Sequence, residues 1–167
     1  FVPTQEPHRW SVLRERGFRL QLGEAGIVPR RLRPGGALAD ELASLPRPAA
    51  VMAATDYMAV RVVEACHAAS LAVPEQVAVL GVNDDSTLCE TALPPLSSIR
   101  LDAVAAGRRA AEMLDALMAG RRPAPWHHRY GCLGVTARDS TAAMQTDDAV
   151  AIAVLEDIRT ACGFNLR

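Results

Sequence analysis

Apolar runs alternate with helical patterns along most of the chain, and this order predicts an α/β fold. Runs suited to strands occur at 49–54 (AAVMAA), 77–82 (VAVLGV), 97–101 (SSIRL) and 129–138 (RYGCLGVTAR). The first two are apolar throughout, as expected of strands covered on both faces. A further run, IVPRRL (27–32), contains a proline and suits an edge strand. Strands that alternate with helices are typical of a parallel sheet flanked by helices.

Apolar residues at helical spacing predict the elements between these strands. Helices are expected at 9–24, 36–45, 55–70 and 103–120, and Ser11 is the candidate N-cap of the first. The last of these helices has an apolar face that we expect to point inward. The residues of that face are Val104, Ala111, Leu114 and Met118.

The composition indicates a globular domain without a strongly charged surface. The chain has 167 residues, 50% of them apolar, and a formal net charge of −1. This length is enough for one domain, and the small charge gives no overall basic field for nucleic acid. No apolar run approaches transmembrane length, so no membrane association is expected. Because the chain starts without methionine, we expect a fragment of a longer protein.

The four cysteines, at positions 66, 89, 132 and 162, form no C-x-x-C motif. A structural zinc site is therefore not expected, and the wide spacing suits reduced thiols in the cytoplasm. His127 and His128 beside Trp126 could bind a metal, but adjacent side chains diverge and a solvated loop is favoured. No glycine-rich phosphate loop and no Ser/His/Asp series occurs, so no cofactor is predicted.

Two polar clusters follow predicted strands directly. Thr55 and Asp56 come after the first apolar run, and Asn83, Asp84 and Asp85 come after the second. Ligands of parallel α/β sheets bind beyond the carboxyl ends of the strands, so a ligand cleft is one interpretation. Helix capping is the other, since hydroxyls and carboxylates stabilise the first turn of a helix.

Two further features have alternative interpretations. Thr87 and Glu90, just after the second cluster, fit a capping box. Trp10, at the start of the first predicted helix, is either a partly buried packing residue or an aromatic face that stacks on a sugar ring.

Three stretches resemble the lac-repressor family of sugar-sensing regulators. They are WSVLRERGFRLQLGEAG (10–26), AAVMAATDYMAVRVVEACHAASLAVPEQVAVLGVNDD (49–85) and PPLSSIRLDAVAAGRRAAEMLDALMAG (94–120). The resemblance covers residues 10 to about 140. It implies a two-lobed, periplasmic-binding-protein-like sensor, in which a sugar bound between the lobes changes the DNA affinity of a homodimer. The chain matches the later half, so the domain at 1–140 lacks most of the first lobe.

The end of the chain resembles a second family. TDDAVAIAVLEDIRTACGFNLR (146–167) is similar to the first helix of an AraC-type DNA-binding domain. We therefore expect a linker at 141–146 and the truncated start of an all-α helix-turn-helix domain at 147–167. This combination implies a cytoplasmic regulator of sugar catabolism that binds operator DNA in its full-length form. The expected effector is a pentose such as xylose.

Five residues are candidates for sugar contacts. The resemblance places the sugar-contacting Arg of R-x-x-G-F at Arg14, whose planar fork suits paired hydroxyls. It also assigns Thr55 with the adjacent Asp56, and Asn83, which stands where the family usually has Asp. Asn can donate and accept hydrogen bonds but lacks the charge that strengthens a hydroxyl contact. Trp10 is the candidate stacking surface.

Two other functions are weighed against the regulator. A periplasmic sugar-binding protein of a transporter or receptor shares the fold, and fold does not determine function. It predicts a signal peptide and a chain that ends near residue 140. An enzyme would use Asp56 with Asp84 or Asp85 as acid and base, and would need a raised carboxylate pKa. The resemblance favours the regulator and leaves Asp84 and Asp85 with a structural role.

Overall fold

The computed structural model describes residues 1–122 and 130–142. Its helices and strands are α1 (Arg9–Glu24), α2 (Leu38–Ala43), β1 (Ala49–Met52), α3 (Asp56–Ala68), β2 (Val77–Val82), α4 (Ser86–Thr91), β3 (Ser97–Leu101), α5 (Ala103–Met118) and β4 (Cys132–Thr136). A 3₁₀ helix at Asp139–Thr141 follows β4. The predicted helix-turn-helix start at 147–167 lies outside the described residues. So do Trp126, His127 and His128, and most of the predicted linker at 141–146.

The four strands form one sheet in the order β1-β2-β3-β4. β1, β2 and β3 are parallel, as predicted, with Leu80 opposite Ser97. β4 runs antiparallel to β3, with Leu101 opposite Cys132. The prediction of a parallel sheet is therefore wrong at this edge. β4 begins beside the residue where β3 ends. The connection between these two strands, which contains α5, therefore starts and finishes at the same end of the sheet.

The apolar face of α5 is exposed in the described structure. No α5 residue is buried, and Val104 and Met118 are 75% and 80% exposed. A helix that connects two parallel strands packs its apolar stripe on the face of the sheet. The strands on either side of α5 are antiparallel, so α5 is not such a crossover helix. The prediction that this face points inward is wrong for the described residues. It concerned Val104, Ala111, Leu114 and Met118.

Two local predictions near the start of the chain are also wrong. His8, not Ser11, is the N-cap of α1, and it makes no side-chain capping bond. Ser11 is buried, and its Oγ accepts a hydrogen bond from the backbone N–H of Thr4 at 3.3 Å. The segment 27–32 forms no strand. Pro29 in that segment has no N–H to contribute to a ladder.

The main core lies between α3 and the face of the sheet that it covers. Val62 and Cys66 of α3 are fully buried against it, and all six residues of β2 are buried. β2 is therefore covered on both faces, as predicted. β1 is not, because Ala50 is exposed while Val51 is buried. The neighbouring Val2 forms a single parallel bridge with Ala53.

Residues 138–141, which we call the strap, lie against the sheet after β4. Ser140 is fully buried, and its Oγ donates to the carbonyl oxygen of Val79 at 2.7 Å. The same Oγ accepts from the backbone N–H of Ser97 at 2.8 Å. The N–H of Ser140 donates to the carbonyl oxygen of Pro95 at 2.9 Å. One serine thus joins the strap to both β2 and β3.

Candidate ligand-binding site

Arg14 brings together the carboxyl ends of β1 and β2. From α1, its Nη1 donates to the carbonyl oxygen of Ala54 at 2.5 Å, and its Nη2 donates to Oδ1 of Asn83 at 3.3 Å. Ala54 lies just after β1, and Asn83 directly follows β2. The structure therefore places Arg14 and Asn83 in contact, although 69 positions separate them in the sequence.

Trp10 lies on the same face of α1, one turn before Arg14. The guanidinium carbon of Arg14 lies 4.8 Å from the centroid of the Trp10 ring, within the range of cation–π attraction. His8 stacks on the indole with 5.4 Å between ring centroids and an interplanar angle of 7°. Trp10 is 41% exposed. Trp10 therefore packs against Arg14 and His8 and is still partly exposed to solvent.

Thr55 caps α3, which confirms the capping interpretation of this residue. Its backbone is extended, and its Oγ1 accepts a hydrogen bond from the backbone N–H of Met58 at 3.2 Å. The side chain is half-buried and follows Ala54, the carbonyl partner of Arg14. The capping bond uses the hydroxyl oxygen as an acceptor, and the hydroxyl hydrogen is a separate donor. Thr55 thus combines a structural role with a position beside the Arg14 contact.

Asp56 is 1% exposed, and both of its carboxylate oxygens accept hydrogen bonds from the protein. Oδ1 accepts from the hydroxyl of Ser98 at 2.5 Å, and Oδ2 accepts from the backbone N–H of Asp85 at 2.8 Å. Gly81 of β2 lies against this carboxylate, and a Cβ at Gly81 would overlap Oδ1. Asp56 is therefore enclosed by the sheet, unlike Asn83, which is exposed.

The turn at 83–85 is held by hydrogen bonds from all three of its backbone N–H groups. Asn83 donates to the carbonyl oxygen of Ile99 at 2.9 Å, and Asp84 donates to Oγ of Ser98 at 3.0 Å. The N–H of Asp85 donates to Oδ2 of Asp56. Asn83 and Asp84 have φ values of 122° and 58°, a region that Asn and Asp tolerate better than most residues. Hydrogen bonds to β3 and to Asp56 thus hold the backbone of the turn, and Asn83 lies on its exposed side.

Asp84 forms a largely buried ion pair with Arg138 of the strap. Its Oδ1 accepts from Nη1 of Arg138 at 2.8 Å, and its Oδ2 accepts from the hydroxyl of Thr136 at 2.6 Å. Burial by itself raises the pKa of Asp84. The hydrogen bonds from Thr136 and Arg138 and the attraction of the guanidinium outweigh burial and hold this pKa below its usual value. Asp84 is therefore a charged structural group that joins the turn to the strap.

Asp85 is the N-cap of α4, and its Oδ1 accepts from the backbone N–H of Leu88 at 3.3 Å. The capping interpretation of this carboxylate is confirmed. The predicted capping box of Thr87 and Glu90 is wrong, because α4 starts at Ser86 and places Thr87 inside the helix.

Sequence reasoning missed three residues that shape this site: Ser98, Thr136 and Arg138. Ser98 joins Asp56 to the N–H of Asp84, and the other two bind the Asp84 carboxylate. Their partners lie 14 to 54 positions away, so no local pattern indicates these contacts. Across the described ranges, no group of three or more His, Cys, Asp or Glu residues is arranged to hold a metal ion. Within those same ranges, no helix is both long and apolar enough to span a bilayer.

Comparison with known protein families supports this architecture. A family model described as a periplasmic binding protein-like domain matches residues 1–141. The chain belongs to this family. The described fold of this periplasmic binding protein-like domain also matches the sugar-binding domain of LacI-type regulators in solved structures.

The chain is similar to two curated transcriptional regulators. The xylose operon regulatory protein of Escherichia coli (strain K12) is 28% identical over 124 residues, which are 68% of this chain and 32% of that protein. The HTH-type transcriptional regulator GntR of Pseudomonas aeruginosa is 38% identical over 115 residues, or 62% of this chain and 33% of that protein. The chain thus spans about a third of the length of these relatives.

Two solved structures show the same fold. The complex of the transcriptional regulator CelR with cellobiose superposes with a TM-score of 0.70 and 26% identity, over 83% of this chain and 46% of that chain. The xylose-binding transcription activator XylR superposes with a TM-score of 0.74, over 99% of this chain and 50% of that chain. Its identity of 22% makes the second likeness one of fold alone.

Proposed function

We propose that this chain is part of the effector-binding domain of a sugar-responsive transcriptional regulator, with its ligand over the carboxyl ends of β1 and β2. The observation that carries the proposal is the convergence of Arg14 with Ala54 and Asn83 at that edge. Crevices outside the carboxyl ends of parallel strands are the usual ligand sites of such sheets. The relatives named above are transcriptional regulators, which supports the regulatory part.

The candidate residues divide into two roles in this proposal. Arg14, Asn83 and the hydroxyl of Thr55 bind polar groups of the ligand, and the accessible part of the Trp10 ring lies against the sugar. Asp56 positions the turn that presents Asn83, because its carboxylate oxygens already bind Ser98 and Asp85. A direct ligand contact by Asp56 remains a prediction from the sequence, and the proposal does not depend on it.

The finer parts of the proposal come from the sequence and from the similarity to the xylose operon regulatory protein. They are a ligand with a pentose skeleton, a cytoplasmic homodimer, and an AraC-type DNA-binding domain starting at 147 that binds operator DNA. The named relatives favour a regulator over a periplasmic sugar-binding protein of a transporter or receptor. The lowered pKa of Asp84 does not suit the role of a general acid that the enzyme hypothesis considered for this residue.

Isothermal titration calorimetry of the full-length protein with a panel of pentoses and hexoses tests this function. We expect saturable binding of at least one sugar or sugar derivative, and at least tenfold weaker binding after Asn83→Ala. Gln5→Ala, which removes an exposed amide outside the helices and strands, is the control and should bind as the parent protein does. Unchanged affinity in Asn83→Ala would remove this residue from the site. Absence of binding throughout the panel and its derivatives would reject a sugar effector.

A further inference from the structure

Arg14 is a partly buried cation whose two hydrogen-bond partners are neutral. Its guanidinium binds the carbonyl oxygen of Ala54 and the amide oxygen of Asn83. Within residues 1–122 and 130–142, no ion pair includes Arg14. Burial lowers the pKa of this guanidinium, and attraction by the Asp56 carboxylate offsets part of that effect. Charges withdrawn from water are normally paired, so a negative group beside Arg14 would be stabilised.

The carboxylates of the neighbouring turn and helix start are already bound to other groups. Asp56 binds two donors of the protein, and Asp84 binds Arg138. Asp85 caps α4 through the N–H of Leu88. None of these carboxylates forms an ion pair with Arg14 in the described structure. The Arg14 guanidinium therefore has no carboxylate in direct contact within the described structure, and Asp56 attracts it only from a longer distance.

The side-chain hydrogen-bonding groups left over on Arg14, Asn83 and Thr55 are mainly donors. The Arg14 guanidinium has five N–H groups, and the described contacts use one on each Nη. The Asn83 oxygen faces Arg14, and no hydrogen bond within the described ranges uses its Nδ2. The Thr55 oxygen accepts the capping bond, which leaves its hydrogen. A sugar hydroxyl both donates and accepts, whereas a carboxylate or phosphate mainly accepts. The donor surplus therefore matches an anion better than a row of hydroxyls.

We propose that the effector is an anionic sugar, either a sugar acid or a sugar phosphate, whose negative group is bound by Arg14 and the amide of Asn83. This inference rests on the proposed function and narrows its ligand from sugars in general to charged ones. Carboxylate and phosphate both present paired oxygens that match the guanidinium fork. The carbon skeleton of the ligand then extends over the exposed part of Trp10.

Calorimetry of the full-length protein with matched ligands tests the inference. The ligands are D-xylose, D-xylonate and D-xylose 5-phosphate, with glucose and gluconate as a second neutral and acidic pair. We expect at least one anionic member to bind tenfold or more tightly than its neutral counterpart. That preference should shrink as the salt concentration rises, because salt screens the attraction between partly exposed charges. The affinities for D-xylonate and D-xylose 5-phosphate show whether the site prefers a carboxylate or a phosphate.

The Asn83→Asp variant supplies the decisive comparison, because it places a carboxylate beside Arg14 with little change in shape. Affinity for the anionic ligand should fall at least tenfold more than affinity for the neutral sugar does, so that the preference for the anion disappears. Gln5→Glu adds the same charge at an exposed position outside the helices and strands and should change neither affinity more than twofold. Circular dichroism of each variant checks that the fold is retained.

The outcomes separate the inference from the proposed function. Equal or tighter binding of the neutral sugars overturns the inference and leaves the sugar-responsive regulator in place. Absence of binding by every neutral and anionic sugar overturns both. Tight anion binding that Asn83→Asp does not weaken shows that the charge is recognised elsewhere, which overturns the assignment to Arg14 and Asn83.

Discussion

Replacing Gly81 by Ala should strongly destabilise this domain, because Gly81 lies against the buried carboxylate of Asp56. A Cβ at this position would overlap Oδ1 of Asp56 and approach the Cα of Asp56 and Cδ2 of Leu96, each to 3.2 Å. Carbon and oxygen atoms normally stay about 3.3 Å apart or more. The carboxylate must therefore shift, and it is held in place by hydrogen bonds to Ser98 and Asp85.

The size of the effect follows from those two contacts. Overpacking a closely packed site costs roughly 1–3 kcal/mol, and a hydrogen bond to a charged group contributes about 1.5–3 kcal/mol. Loss of one such bond together with the strain gives about 4 kcal/mol, a large part of the 5–15 kcal/mol typical of a domain. Amide hydrogen exchange of β2 peptides in the full-length protein measures this cost. Protection should fall about a thousandfold, since each 1.4 kcal/mol is a factor of ten.

Two further variants test the reasoning behind this figure. Gly107→Ala in α5 is the control, because a Cβ there meets nothing within 4 Å and alanine favours a helix over glycine. It should leave the protection of β2 unchanged. In an Asp56→Ala background, the added cost of Gly81→Ala should fall to about 1–2 kcal/mol, because the overlapping oxygen is gone. Strictly additive costs in the double variant would refute the clash with Asp56 as the cause.

Three other predictions follow from the described contacts. Trp10→Ala should weaken ligand binding about five- to thirtyfold, because it removes the aromatic surface and the cation–π contact with Arg14. Calorimetry measures this loss, and a change under twofold would contradict a role of Trp10 in binding. Asp84→Asn should lower the free energy of unfolding by about 2 kcal/mol at pH 7, because it removes the charge that Arg138 binds. Amide hydrogen exchange measures this change. Because folding lowers the pKa of Asp84, the charged carboxylate stabilises the fold above its unfolded pKa, and this stabilisation disappears as the pH falls through the folded pKa. The stability cost of Asp84→Asn should therefore be smaller at pH 3 than at pH 7, and an unchanged cost would contradict this reasoning. Burial raises the pKa of Cys66 to about 11 and that of Cys89 to about 12, so neither thiol should react with a disulfide reagent at pH 8 until the protein is denatured.

The sheet and its neighbouring helices are largely predictable because local pattern determines them. The apolar run at 77–82 is β2 itself, and the helical spacing at 9–24 is α1 itself. Thr55 as a helix cap also followed from local chemistry, since its partner is three residues away. The direction of β4 could not be predicted in this way. Nothing in an apolar run shows whether the chain before it crosses the sheet or returns at the same end.

The sequence predicted where the candidate site lies, at the carboxyl ends of the strands, but not which polar residues there are exposed. The rule that ligands bind beyond strand ends pointed to both polar clusters, Thr55 with Asp56 and Asn83 with Asp84 and Asp85. It could not distinguish an exposed amide such as Asn83 from an enclosed carboxylate such as Asp56. That difference depends on Ser98 of β3, which is 42 residues from Asp56 and has no distinguishing local pattern. Long-range partners therefore determine which polar residues face solvent and which hold the turn.

The strap determines where this domain can be shortened. Truncation after residue 137 would remove Ser140 and leave the carbonyl oxygen of Val79 and the N–H of Ser97 without their described partners inside the sheet. It would also remove Arg138 and leave the largely buried carboxylate of Asp84 without its cation. A stop after residue 142 keeps all of these bonds. The C-terminal boundary of this fold is therefore set by hydrogen bonds made beyond the last strand, and a chain that stops at the end of β4 should be less stable than one that stops after residue 142.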